Sequence, residues 1–222
     1  MFNHKAYIFD LDDTLYCEHD YVKSGFYSVA SFLAKTYSFL HVEELTRQFI
    51  EAWEHYGRGK VFNHVCNKFG IQTDIKQLVN VYRNHEPSIH LYEDAVFCLK
   101  GLMEANIPIG IITDGNSSMQ WNKLRALGLD KQISCIIVTD DLGGSEFWKP
   151  HPLAFQRMSD CLKVNMEDCV YIGDNPNKDF ITAKKLGLHT IRIVREIGDH
   201  MQTNLDQGYE ADKKIYSLME IR

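Results

Sequence analysis

The feature that most constrains this chain is an alternation of short apolar runs with amphipathic stretches through its C-terminal half, most of the apolar runs ending in polar or charged residues. Beyond Pro87 the periodicity predicts helix 93–105, strand 107–113, helix 117–127, strand 134–139, helix 152–163, strand 169–173, helix 177–186 and strand 189–194. Gly128 and Gly187 each stand between a helix and the next strand, where αβ loops favour glycine. Repeated βα units imply a parallel sheet covered by helices on both faces. One more apolar run, Ala6 to Leu11, is interrupted and followed by carboxylates and predicts a buried strand. It is separated from the others by about 75 residues of helical character. There Phe26, Val29, Ala30, Leu33 and Tyr37 recur at helical spacing, as do Leu45, Phe49, Ala52, Trp53 and Tyr56. Gly57 and Gly59 break that pattern, and further helices are expected over 60–69 and 74–84, with Gly70 and Asp74 at cap positions. The expected architecture is a doubly wound, Rossmann-like α/β core (residues 1–15 and 91–222) with an inserted all-helical domain (residues 16–90). An amphipathic helix over 212–221 is expected to close the chain.

Composition narrows the partners. With 222 residues, 45% hydrophobic and 24% charged, the chain can bury a core. A net charge of −6 argues against a nucleic-acid polymer as partner, which calls for a basic patch. The longest apolar stretch, Ile107 to Ile112, is interrupted by Pro108 and Gly110 and falls short of the ~20 residues of a membrane span. The apolar run at the start is too short for a signal peptide, so a cytoplasmic location is expected. The cysteines (Cys17, Cys66, Cys98, Cys135, Cys161, Cys169) contain no C-x-x-C pair and are expected to be free thiols. His19, His64, His85, His90, His151, His189 and His200 show no zinc-ligand spacing.

Ligands of open parallel sheets bind beyond the carboxyl ends of the strands. The residues following the predicted strands are Asp10-Leu11-Asp12-Asp13-Thr14, then Thr113-Asp114-Gly115-Asn116, then a loop carrying Lys149-Pro150, then Gly173-Asp174 through Lys178-Asp179. Asp10, Asp12 and Asp174 on one sheet edge would repel one another, and each would resist ionisation. A hard dication with oxygen ligands relieves this, and Mg²⁺ suits one or two carboxylates, several waters and a substrate phosphate. Lys149 adds a cation and Thr113 a hydroxyl, which fits an incoming phosphoryl group. Asp10 can then attack phosphorus, and Asp12, on the same side of the chain two residues on, can serve as acid and base.

Asp10-x-Asp12-x-Thr14, Thr113, Lys149 and Gly173-Asp174-x-x-x-x-Asp179 resemble, in order and type, the four motifs of the haloacid dehalogenase-like (HAD) hydrolase superfamily. The insertion after the first motif is similar to its C1-type helical cap. The resemblance implies Asp10 as nucleophile, Asp12 as general acid/base, and Lys149 as phosphate ligand and partner of the nucleophile. It implies phosphate binding by Thr113 and the segment Asp114-Gly115-Asn116, and Mg²⁺ held by Asp10, the Asp12 carbonyl and Asp174, with Asp179 in support. Many phosphatase relatives carry Asn where this chain has Asp114. Members that cleave carbon–halogen bonds lack the acid matching Asp12, and the P-type pumps need membrane helices. The activity implied is Mg²⁺-dependent hydrolysis of a small phosphomonoester, a nucleoside monophosphate or sugar phosphate. A phosphomutase using the same aspartyl-phosphate is the alternative. A non-catalytic switch phosphorylated on Asp is a third reading, disfavoured by the chain's length and helical insertion.

Overall fold

A computed structural model describes residues 2–221. The chain forms two compact units, Met1–Glu18 with Ile89–Arg222, and His19–Ser88.

The first unit holds a six-stranded parallel sheet in the order β3-β2-β1-β4-β5-β6. Its strands are β1 (Ala6–Phe9), β2 (Ile109–Thr113), β3 (Cys135–Val138), β4 (Cys169–Gly173), β5 (His189–Ile193) and β6 (Lys213–Ile215). β1 lies between β2 and β4, pairing Ile8 with Gly110 and with Tyr171. The strand order reverses beside β1, which makes the carboxyl ends of β1 and β4 the expected ligand crevice. β1, β2 and β4, at the middle of the sheet, are buried along their whole length and so read as nearly continuous apolar runs. Helices α5 (Glu93–Glu104), α6 (Ser117–Ala126), α7 (Leu153–Leu162) and α8 (Phe180–Lys185) follow the strand–helix alternation expected from the sequence. One core layer packs Phe155 and Met158 of α7 and Phe180 of α8 against Ile8, Ile112 and Tyr171. α8 starts later than the periodicity suggests. Asn175 takes the Asn177 backbone N–H on its side chain, and the Lys178 and Asp179 N–H groups on its carbonyl, so a turn uses these positions.

The second unit is all helical: the body of α1 (Glu18–Thr36), α2 (Val42–Tyr56), α3 (Val61–Lys68) and α4 (Ile75–Asn84). Its core is apolar and aromatic, with Phe26, Phe49, Trp53 and Leu78 at its centre. A Cβ on Gly25 of α1 would lie 2.4 Å from the Tyr82 ring, so only glycine permits that approach. Asp74 caps α4 through its carboxylate and the Lys76 N–H.

Two sequence expectations fail. Residues 212–221 are not a helix: Lys213–Ile215 pair with Ile191–Ile193, and only Leu218–Ile221 form a 3₁₀ turn. Ile215, Leu218 and Ile221 are spaced alike for a helix and for a strand–turn, and the open edge of β5 decides between them. Nor are all cysteines free: Cys135 of β3 and Cys161 of α7, with Cα atoms 5.9 Å apart, are bonded. That pairing comes from α7 packing on β3, which no local cysteine spacing reveals. The other four are free and buried. Among the described residues, no helix is long and apolar enough to cross a membrane.

Candidate active site

β1 and β4 deliver Asp10 and Asp174 to adjacent positions at the carboxyl edge, and the loop before α7 brings Lys149 beneath them. The Lys149 ammonium is wholly buried and donates to Asp10 Oδ1 (2.6 Å), Tyr171 Oη (2.7 Å) and Asp179 Oδ1 (2.8 Å). Burial alone would neutralise such a lysine, but Asp10 and Asp179 outweigh it and keep the ammonium charged. Asp179 also accepts the Asn175 N–H on its second oxygen, so both of its oxygens are engaged. It can fold back this far because residue 173 is glycine; a Cβ there would stand 2.5 Å from Asp179 Oδ2.

Asp10, Asp174 and Asp179 offer oxygens that lie within 4.8 Å of one another, all buried. Asp174 alone takes no hydrogen bond or ion pair. Burial, then Asp179 and Asp10, hold its carboxyl well above the usual range. Burial likewise pushes Asp10 up to about 6, against the pull of Lys149 and Lys178. An all-oxygen donor set with one unpartnered buried carboxylate is short of positive charge, and a hard dication fits it.

Asp12 faces differently. Its carboxylate accepts from Lys123 Nζ (2.7 Å), Gln120 Nε2 (2.9 Å) and the Tyr16 hydroxyl. Burial works to raise its pKa, but Lys123 and these hydrogen bonds prevail and hold it below the usual carboxylate range. Gln120 also donates to Thr113 Oγ1, linking two motif residues. Sequence reading missed Gln120 and Lys123. Their signal was faint: two polar residues three apart, on one face of α6, both buried.

The Asp114 carboxylate is fully used. Oδ1 accepts the Lys149 N–H (2.9 Å) and the Thr139 hydroxyl (2.8 Å), while Oδ2 accepts Lys178 Nζ (2.9 Å). The negative charge that Asn would lack is thus met by the Lys178 ammonium. Asn116 uses its side chain to cap α6, accepting from Met119 N–H, and Gly115 has a backbone φ of 124°. Asp10, Asp12, Asp114, Lys149 and Asp174 line one cavity of about 270 Å³; Thr113, Gly115, Asn116 and Asp179 are not in its lining.

A fifth segment, following β5, also reaches this edge. Arg195 donates to the Thr14 carbonyl (2.6 Å), Asp199 N–H donates to Asp13 Oδ2 (3.2 Å), and His200 lines the cavity. Applying the strand-end rule to β5 as well would have pointed to it.

The model for haloacid dehalogenase-like hydrolases matches residues 7–193. A glyceraldehyde 3-phosphate phosphatase from Methanopyrus kandleri is 29% identical, over 98% of this chain and 97% of its own. A phosphoglycolate phosphatase from Neisseria meningitidis serogroup A is 27% identical, over 98% of this chain and 92% of its own. Among solved structures, the HAD-hydrolase YfnB from Bacillus subtilis, bound to magnesium, superposes with a TM-score of 0.69 at 20% identity, covering 99% of this chain and 97% of that one. The family match spans most of the chain, and the chain belongs to the haloacid dehalogenase-like hydrolase family.

Proposed function

We infer that the protein is a Mg²⁺-dependent phosphatase of small phosphomonoesters, working through an aspartyl-phosphate on Asp10. One observation carries this reading: a buried ammonium clamps Asp10 beside a second buried carboxylate, Asp174, that has no partner. Lys149 fixes one Asp10 oxygen, which leaves the other to attack phosphorus. Asp10, the Asp12 carbonyl and Asp174 would hold Mg²⁺, with Asp179 in support. When bound, the ion offsets the charge of the carboxylates and of the phosphoryl oxygens. Thr113, the Asp114-Gly115-Asn116 segment and Lys149 are the phosphate-side residues in this reading.

In the first half-reaction the P–O ester bond breaks as Asp10 Oδ2 bonds to phosphorus, and the leaving oxygen takes a proton from Asp12. In the second, water attacks phosphorus, its proton returns to Asp12, and Asp10 is freed as phosphate departs. Lys123, Gln120 and Tyr16 keep Asp12 ionised in the resting site, the state a base requires. When substrate binds, its phosphoryl dianion pulls the other way, so Asp12 takes up a proton from solvent and then gives that proton to the leaving oxygen. The helical insertion has the part of a cap, excluding water and choosing the leaving group. The substrate is a small cytoplasmic phosphometabolite.

The test is phosphate release from a panel of sugar phosphates and nucleoside monophosphates, with Mg²⁺ and with EDTA. Release that EDTA abolishes, and that Asp174→Asn makes insensitive to added Mg²⁺, is the expected result. A retained Mg²⁺ response in Asp174→Asn would remove Asp174 from the ligand set. Turnover only with a bisphosphate primer would assign the chemistry to a mutase.

A further inference from the structure

The residues expected from sequence to bind phosphate offer the cavity few hydrogen-bond donors. Thr113, Gly115 and Asn116 are not in its lining, and both Asp114 oxygens already accept hydrogen bonds. Lys149 does line it, but an ammonium has three hydrogens to give. Asp10, Tyr171 and Asp179 take them at 2.6–2.8 Å, and the side chain is wholly buried. The charge of Lys149 reaches a ligand, whereas its N–H groups are spent on holding the nucleophile and its neighbours.

One other lysine lines the cavity, Lys178. It belongs to the turn between β4 and α8, where its backbone N–H donates to the Asn175 carbonyl (3.2 Å). Unlike Lys149, its side chain is 26% exposed. Among the described residues its ammonium has one hydrogen-bond partner, Asp114 Oδ2 at 2.9 Å. Two of its three hydrogens are therefore unspent, on a side chain whose tip is already held. Burial raises the carboxyls of Asp10 and Asp174, and the Lys178 charge opposes that at both, so its field reaches the nucleophile. Charge-assisted hydrogen bonds are the strong ones open to a phosphoryl oxygen, and of the two lining lysines only Lys178 has hydrogens left to make them.

Resting on the phosphatase reading above, we propose that Lys178 is a phosphate-binding residue, whose ammonium donates to an oxygen of the transferring phosphoryl group while keeping one hydrogen on Asp114. The two lysines then divide the work: Lys149 fixes the nucleophile, and Lys178 meets the substrate. The competing role for Lys178 is only to neutralise Asp114, a carboxylate that also accepts the Lys149 N–H and the Thr139 hydroxyl.

The experiment measures binding of inorganic phosphate by calorimetry, with Mg²⁺, to wild type, to Lys178→Met and to the double variant Asp114→Asn/Lys178→Met. Lys178→Met should weaken phosphate affinity roughly 10- to 100-fold, the worth of one hydrogen bond to a charged group. The double variant leaves no carboxylate short of a cation at position 114, so it serves where the single variant fails to fold. It should bind phosphate as weakly as Lys178→Met does. A lysine needed only to neutralise Asp114 is dispensable beside Asn, so wild-type affinity in the double variant would overturn the proposal. Wild-type affinity in Lys178→Met, or no phosphate binding by wild type, would overturn it equally. Phosphate release from the ester panel tells this failure from that of the phosphatase reading. Turnover by wild type, with phosphate affinity unchanged in both variants, refutes the role of Lys178 alone. Lys178-dependent phosphate binding by a protein that hydrolyses no ester refutes the phosphatase reading and keeps the phosphate site.

Discussion

The carboxyl edge of the sheet and the centre of the helical unit are both buried, yet they are built from opposite materials. At the sheet edge Asp10, Asp114, Lys149, Asp174 and Asp179 are packed together and almost wholly buried. In the helical unit the same degree of burial is filled by Val29, Leu33, Leu45, Phe49 and Leu78. Phe26, Phe49 and Phe62 form a ring cluster with centroids 5.4–6.1 Å apart, and that region is stabilised by burying apolar area. The sheet edge gains little from burial, because each charge lost its hydration and one of them, Asp174, has no protein partner in return. One region is arranged for stability, and the other is held in place by the rest of the molecule for a reaction.

Substitutions should therefore separate the two regions. The largest effect is expected from Asp10→Asn, which should cut phosphate release by roughly 10⁴-fold or more while leaving circular dichroism and melting cooperativity intact. Retained turnover would reassign the nucleophile. Phe49→Ala reverses the pattern: it should cost about 3–5 kcal/mol of stability in denaturant titration. A loss below ~1 kcal/mol would mean that the helical core is loosely packed. Lys123→Met lies between the two, since it removes a buried charge from beside Asp12. It should lower kcat by about 10- to 100-fold with KM little changed, and Lys123→Arg should recover part of the loss. Equal falls in kcat/KM carried by KM alone would remove Lys123 from the positioning of Asp12.

The smallest effect concerns pH. Burial pushes Asp13 up to about 7 in the folded protein, above its unfolded value. The folded state thus holds a proton that the unfolded chain releases near pH 4, and this contribution to stability falls as pH rises through about 7. Asp13→Asn should flatten the melting temperature between pH 5 and 8. An unchanged slope would trace it to another group.

The sequence was most informative where chemistry and periodicity coincide. Asp10, Lys149, Asp174 and Asp179 each stand in or beside a loop joining strand and helix, and the topology of a parallel sheet alone brings such loops together. Thr113 was recognised as a motif residue, but its link through Gln120 to Asp12 was not, because a glutamine on a helix face has no distinctive neighbour in sequence. Asp114 looked like a departure from the family pattern until Lys178 was seen to answer it, 64 positions away. The C-terminal segment was misread because a three-residue spacing of Ile215, Leu218 and Ile221 fits two kinds of element, and only the unpaired edge of β5 distinguishes them. Pairwise contacts between distant residues carry no local mark, and these are the features that sequence reading missed.

The placement of β1 at the middle of the sheet has a consequence for how the molecule comes into being. Of the six strands Ala6–Phe9 is made first, and its neighbours, β2 and β4, follow only after the whole helical unit. Asp10 therefore exists for most of synthesis without Lys149 to clamp it, and the helical unit is complete before β1 has any partner to pair with. Domains tend to fold as units as they emerge, and long-range strand pairing is slow. The proposed reactive centre is thus assembled only once β4 pairs with β1, and a nascent chain cut short before Cys169 would carry Asp10 without Asp174 or Asp179 to stand beside it.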